Sequence, residues 1–225
     1  MKYGIGNWSE KRGNHRAILH VDEAATVVWA HIPWRRRDLQ PELKDTIVIN
    51  TQTGERVMNT SQMCILREFG IIVFEAETAG TYEVYYLPNK RTGDWWFQFT
   101  EYSPPANTAR PGWLAKLRNG AWRFNTFQAK VVEIQARSEF DRFDPMEVIA
   151  TFEETCKLTL ARPNEPYLLF PEDRKFPIRM TDDLPLRWIE NGPSSSFKGT
   201  ACRNEYYVFQ IGLYALQEIE DIKFR

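Results

Sequence analysis

The 225-residue sequence predicts a mainly β protein: an antiparallel β-sandwich with one main α-helix, then the first strands of a second, incomplete β-sandwich. Three observations predict it. Short apolar segments recur about every dozen residues and are separated by glycine and proline turn signals. Eight Trp, nine Tyr and fourteen Phe make up 14% of the chain, and β-rich folds use such residues to fill their cores. Helical periodicity is sustained in only one place.

Residues 24–32 alternate, with Val28, Ala30 and Ile32 on one face and Val27, Trp29 and His31 on the other. Both faces are fairly apolar, which predicts a strand covered on both sides and ended by Pro33. Thr46-Ile47-Val48-Ile49 and Arg56-Val57-Met58 flank Gln52-Thr53-Gly54-Glu55, the pattern of a hairpin with glycine in the turn. Ile71-Ile72-Val73-Phe74 and residues 81–87 read as a second such pair around Ala79-Gly80, with Tyr82, Val84 and Tyr86 sharing a face. Residues 94–100 read as another strand, with Trp95, Phe97 and Phe99 facing one way and Trp96, Gln98 and Thr100 the other. Prolines make residues 103–112 a loop. A short helix over residues 113–117 and a strand over residues 129–136 follow.

The main helix is expected to begin at Asp144-Pro145, an N-cap followed by a first-turn proline. Val148, Phe152, Cys156 and Leu160 recur at i+4, and Glu153 with Lys157 forms a surface pair. From Pro163 to Pro193 there are six prolines among polar clusters. This stretch reads as a connector packed along the surface, since residues 167–170 and 184–189 are apolar. A new strand unit begins near Ser196. In it Tyr207, Phe209, Ile211, Leu213 and Ala215 form an apolar face that needs partner strands, while residues 218–225 allow only one. The expected division is a domain over residues 1–180, then a connector and the unfinished start of a second domain over residues 181–225.

A formal net charge of −1 argues against a general attraction to nucleic acid or anionic lipid. Neither nucleic acid nor membrane is expected as a partner. Cys64, Cys156 and Cys202 are odd in number and widely spaced, so they read as core thiols rather than a disulfide framework or zinc cluster. The N-terminus shows no leader pattern and no segment approaches a membrane span. The expected location is cytoplasmic for the sequence as written, and secreted or periplasmic if a leader has been removed.

Signatures of chemistry are scarce. Phosphate loops, GxSxG and HExxH are absent, so no cofactor is expected. His15 and His20 fall on opposite faces of one strand, and with His31 they give no metal site. The carboxylate pairs Glu153-Glu154 and Asp182-Asp183 sit where helix-surface and turn or capping roles are usual, which leaves no catalytic residue to name. Arg35-Arg36-Arg37-Asp38 admits two readings, an anion or partner contact, or a solvated turn paired with Glu42, Asp45 or the acidic connector. The second is preferred, because three arginines give a weak phosphate-binding signal. Trp96, on the more polar face of its strand, is the one candidate for a carbohydrate platform, although packing is its commoner fate. The N-x-S matches at Asn7 and Asn59 carry no weight without a leader.

Several segments in order do resemble a known family. They are Gly13-Asn14-His15-Arg16, His31-Ile32-Pro33-Trp34-Arg35-Arg36-Arg37-Asp38, residues 80–86 and Pro145-Met146-Glu147-Val148-Ile149-Ala150. Pro171-Glu172-Asp173-Arg174, Pro177-Ile178-Arg179-Met180, Phe197-x-Gly199-x-Ala201 and the run from Glu205-Tyr206 to Tyr214-Ala215 complete the set. Together they resemble the N-terminal region of bacterial proteins similar to glycoside hydrolase family 123. Asn204 stands where that pattern has glycine. The resemblance implies β-sandwich regions preceding a (β/α)₈ barrel that carries an adjacent Asp-Glu pair. That pair hydrolyses a β-linked N-acetylhexosaminide with help from the substrate's own acetamido group. A barrel needs at least about 200 residues, so none of that machinery maps onto positions here. The leading expectation is a non-catalytic region whose partner is the barrel domain, with glycan as a second candidate partner. A free-standing carbohydrate-binding or adhesion module is the alternative.

Overall fold

The computed structural model describes residues 2–118, 127–220 and 222–223. Strands hold 38% of the chain and helices 14%. No described helix is long and apolar enough to cross a membrane. Two compact units emerge, one from Met1–Trp34 with Asp38–Phe143 and the other from Arg35–Arg37 with Asp144–Arg225. The expected division after residue 180 falls inside the second unit.

The first unit contains β1 (Tyr3–Ile5), β2 (His15–Val21), β3 (Ala25–Ile32), β4 (Thr46–Asn50), β5 (Thr60–Ile65), β6 (Gly70–Ala76) and β7 (Gly80–Tyr86). It continues through β8 (Asn89–Gly93), β9 (Gln98–Tyr102), the helix α1 (Pro111–Arg118) and β10 (Phe127–Ala136). Eight strands form one sheet in the order β4-β7-β2-β10-β3-β6-β5, with β1 beside β10. β10 runs antiparallel to β2 but parallel to β3 and β1. It therefore joins what would have been two sheets into one continuous mixed sheet. Strand twist curls such a sheet on itself, and the edges β4 and β5 nearly meet. Gln62 Nε2 on β5 donates to Lys44 O and to Thr46 Oγ1, at 3.1 Å each. The expected two-sheet antiparallel sandwich is thus corrected to a nearly closed, barrel-like sheet.

Alternation explains the interior. Ala17, Leu19 and Val21, then Val28, Ala30 and Ile32, then Ile72, Phe74 and Ala76, then Tyr82, Val84 and Tyr86 all enter one core cluster. The outer face of β3 is covered too, because Val27 and Val73 pack against Trp113 and Leu117 of α1. This is the two-sided burial that residues 24–32 predict. The expected pairing of the strands around Ala79-Gly80 does not form. β6 pairs with β3 and β5, whereas β7 pairs with β2 and β4. The turn around Gly54 does form, but Arg56 only bridges Ile49, and the next strand leaves to join β6.

The second unit contains α2 (Phe152–Leu160), β11 (Tyr167–Asp173), α3 (Leu186–Asn191) and β12 (Phe209–Ala215). The main helix starts later than expected. Asp144 holds a turn by accepting from Met146 N, and Ile149 bridges Pro185, which takes Val148 out of any helix. Thr151 is the true N-cap and forms a capping box with Glu154. Of the i+4 apolar series, Phe152 and Leu160 face outward at 76% and 78% exposed, Cys156 is half-buried, and Leu158 is the buried residue of the helix. α1 and α3 make this helix one of three α-helices among the described residues.

β11 and β12 pair antiparallel from Tyr167–Ala215 to Asp173–Phe209. One face of this two-stranded sheet presents Leu168 and Phe170 to Met146, Leu158, Leu184 and Trp188. Trp188 stacks on Phe170 at 4.5 Å and 2°, and a Cβ on Gly212 would lie 2.1 Å from its ring. The opposite face holds Phe209, Ile211 and Leu213, all exposed, as the sequence predicts for strands awaiting a cover. The further strand allowed over residues 218–225 falls partly outside the described residues, and those described there are not in a strand. Cys202 is exposed, not a core thiol, while Cys64 and Cys156 are half-buried.

Candidate functional site

Residues 94–97 do not continue a strand. Asp94 Oδ1 accepts from both Trp96 N and Phe97 N at 2.9 Å, an Asx turn that reverses the chain between β8 and β9. Gly93 is required there, since its φ is 108° and a Cβ would lie 1.9 Å from Phe97 O. Among the described residues β8 and β9 pair only with each other. Consequently the rings at the tip have nothing among those residues to pack against: Trp95 is 85% and Trp96 80% exposed, and Phe97 and Phe99 are exposed as well. The expectation that Trp96 packs is overturned, because periodicity alone could not reveal a turn inside an apolar run.

The hairpin returns to the body beside a cleft. Tyr102, the last residue of β9, lies under Lys44 Nζ at 4.8 Å, and Ser103 O accepts from Asp45 N at 2.8 Å. Along the seam between β4 and β5 the cleft encloses about 300 Å³ and is lined by Glu42, Asp45, Arg56, Gln62, Asn107 and Leu114 among others. Asp45 is buried and already committed. Its Oδ2 accepts from Arg56 Nη2 at 3.1 Å and its Oδ1 from Ala106 N at 3.2 Å. The cleft thus offers carboxylate, guanidinium, amide and hydroxyl groups, but no pair of carboxylates free to act as acid and base. The sequence hinted at none of this, because these residues converge only when the sheet curls.

The arginine run is not a solvated turn. Arg35 donates from Nη1 and Nη2 to the two oxygens of Glu154 at 2.7 and 2.8 Å, Arg37 pairs with Glu147 at 3.2 Å, and Arg36 is buried. Glu154 also accepts from Thr151 N at 2.8 Å. The Arg35 guanidinium, against the opposing effect of partial burial, lowers its pKa to about 2. Asp38 pairs with Lys44 at 2.8 Å, not the run with Glu42 or Asp45. Glu153 binds Lys157 at the surface at 2.5 Å.

Other motif residues also serve the scaffold. Gly13, with φ 90°, lies where a Cβ would meet Tyr86 O at 2.4 Å. Arg16 pairs with Glu83 at 2.7 Å, donates to Gln135 and covers the Trp8 ring at 4.5 Å. Burial first, and the hydrogen bond to Glu83 second, raise the Tyr85 pKa beside it. Trp34 donates to Leu66 O at 2.8 Å and lies over Gly70. In the second unit Arg174 pairs with Glu205, Tyr207 donates to Asp173, and Phe197 stacks on Phe209 at 4.8 Å. Asn204 takes a φ of 66°, the left-handed geometry that asparagine tolerates and that its place in a glycine position predicts.

Among the described residues no cluster of three or more His, Cys, Asp or Glu could hold a metal. Comparison with curated proteins and with solved structures returns no match. Over residues 6–137 the sequence matches the family described as Glycoside hydrolase 123, N-terminal domain, and the chain belongs to that family.

Proposed function

We propose that this chain is a non-catalytic N-terminal region of a glycoside hydrolase, and that it braces a catalytic barrel which hydrolyses a β-N-acetylhexosaminide with substrate assistance. The family match supports a hydrolase-related region. One structural observation carries the bracing role: the open apolar face of the β11–β12 sheet. Two strands with one face in water are marginal, and Phe209, Ile211 and Leu213 would gain about 25 cal/mol for each Å² covered. Further strands leading to a barrel would supply that cover.

The test is to express the gene product extended beyond Arg225 and compare it with the 225-residue chain. The extended protein should release the aryl group from an aryl β-N-acetylgalactosaminide, and the shorter chain should not. Amides of Phe209–Ala215 should exchange at least about tenfold more slowly in the extended protein. Turnover by the 225-residue chain, or equal exchange in both, would overturn the reading.

A further inference from the structure

We infer that the β8–β9 hairpin and the neighbouring β4–β5 cleft form one binding surface for a neutral glycan chain. The inference rests on the hydrolase reading for its ligand class and on the hairpin and cleft for its place.

Four aromatic rings exposed in sequence are not a normal outcome of folding. Single exposed apolar residues need no explanation, but a contiguous group marks a binding surface. Trp95, Trp96, Phe97 and Phe99 form such a group. The tip is also rigidly built, through the double acceptance at Asp94 Oδ1 and the left-handed Gly93. The backbone that carries the indoles is therefore set before any ligand arrives, which lowers the ordering cost of binding.

Charge selects the occupant. Residues 89–102 contain Lys90 and Arg91 against Asp94 and Glu101, so the hairpin is neutral. Both cations are already paired, Lys90 with Glu101 at 3.1 Å and Arg91 with Glu10 at 2.8 Å. A surface for anionic lipid would carry an excess of free lysine and arginine. In the cleft, Glu42 and Asp45 stand against Arg56, which disfavours phosphate and other anions. What remains is a mixture weighted to acceptors: the Asn107 amide, Gln62 Oε1, and the oxygens of Thr60 and Thr108, whose hydroxyls donate to Val57 O and Met58 O. Such a mixture suits the alternating hydroxyls of a sugar, and flat rings suit its C–H faces.

Length adds a second constraint. Five residues of strand carry the tip roughly 17 Å from Tyr102, and the next residue, Ser103, is bonded through its carbonyl to Asp45 of the cleft. A single sugar cannot touch both places, so the ligand is a chain. One sugar lies in the cleft and later ones lie along the rings.

The test uses the 225-residue chain in affinity electrophoresis against soluble neutral polysaccharides and on a glycan array. Phosphatidylcholine vesicles, alone and with phosphatidylserine, serve as the lipid comparison. A neutral glycan should retard the protein, and W95A and W96A should each weaken that binding about tenfold. N107A, at the exposed cleft wall, should weaken it separately, and all three variants should keep the parent's melting temperature. No glycan retained, or equal retention by W95A and W96A, would overturn the inference. So would vesicle binding lost in the same variants, or an oligomeric state that they alter, since either assigns the rings to another partner. Glycan binding without turnover by the extended protein leaves this inference standing and removes the hydrolase role. Turnover without glycan binding by the 225-residue chain does the reverse.

Discussion

Each unit seats a tryptophan on a strand glycine, and the two seats differ in what surrounds them. In the first unit Trp34 lies over Gly70 inside a nearly closed sheet, donates to Leu66 O, and is 1% exposed. In the second, Trp188 lies over Gly212, donates to Glu172 at 3.1 Å, and rests on a sheet of two strands whose far face is open. The local contact is the same. What differs is how far the neighbours can yield, and in a close-packed core that decides the energetic cost of a change.

The largest effect should come from emptying the closed seat. Trp34→Ala should destabilise the first unit by about 4 kcal/mol, because a barrel lined on all sides cannot collapse into the cavity. Urea unfolding, followed by hydrogen exchange at β6 and at β12, will separate the units. An equal loss of protection at both would break the comparison.

Overfilling sharpens it further. A Cβ at Gly70 would lie 2.2 Å from Trp34 and one at Gly212 would lie 2.1 Å from Trp188. The clashes match in geometry, yet Gly70→Ala should cost about 3 kcal/mol and Gly212→Ala about 1 kcal/mol, since the open sheet can bend away. Equal costs would show that the two-stranded sheet is as stiff as the barrel.

The last effect, smaller than either expected in the first unit, depends on pH and belongs to the second unit alone. The Glu154 carboxylate has a pKa lowered from 4.5 to about 2 by Arg35 and by its cap on Thr151. A lowered pKa in the folded state means that its contribution is full above pH 4.5 and is lost as pH falls toward 2. After allowance for solvent around the pair, that contribution is about 1–2 kcal/mol. Glu154→Gln should therefore destabilise the second unit at pH 7, and its stability curve should be flatter than the parent's between pH 4.5 and 2. Parallel curves would show that Glu154 is not the group responsible.

The sequence revealed what depends on neighbours along the chain. Alternation in residues 24–32 and 82–86 and the apolar face of residues 207–215 carry their own evidence, and the structure uses them as read. Pairing was hidden, because nothing local in Phe127–Ala136 says that it enters between β2 and β3. The helix start was hidden for a related reason: Asp144-Pro145 and Thr151-x-x-Glu154 are both legitimate starts, and Ile149 is drawn away by its bridge to Pro185. Trp96 was named but expected to pack, since a period-two pattern cannot distinguish a strand face from the rings of a turn. The cleft was invisible, as its walls come from residues 42 to 114 and meet only at the seam.

The central place of β10 also bears on how the chain is made. β2 and β3 are neighbours in sequence, yet the strand that joins them lies about a hundred residues later. Arg35 waits longer still for Glu154, across 119 residues. At a synthesis rate of about 5–20 residues per second, each gap leaves half-made structure open for on the order of ten seconds. During that interval the edges of β2 and β3 that β10 will cover stand unpaired. The first unit is completed only when β10 is made, so a pause in translation before residue 127 would extend its most vulnerable state.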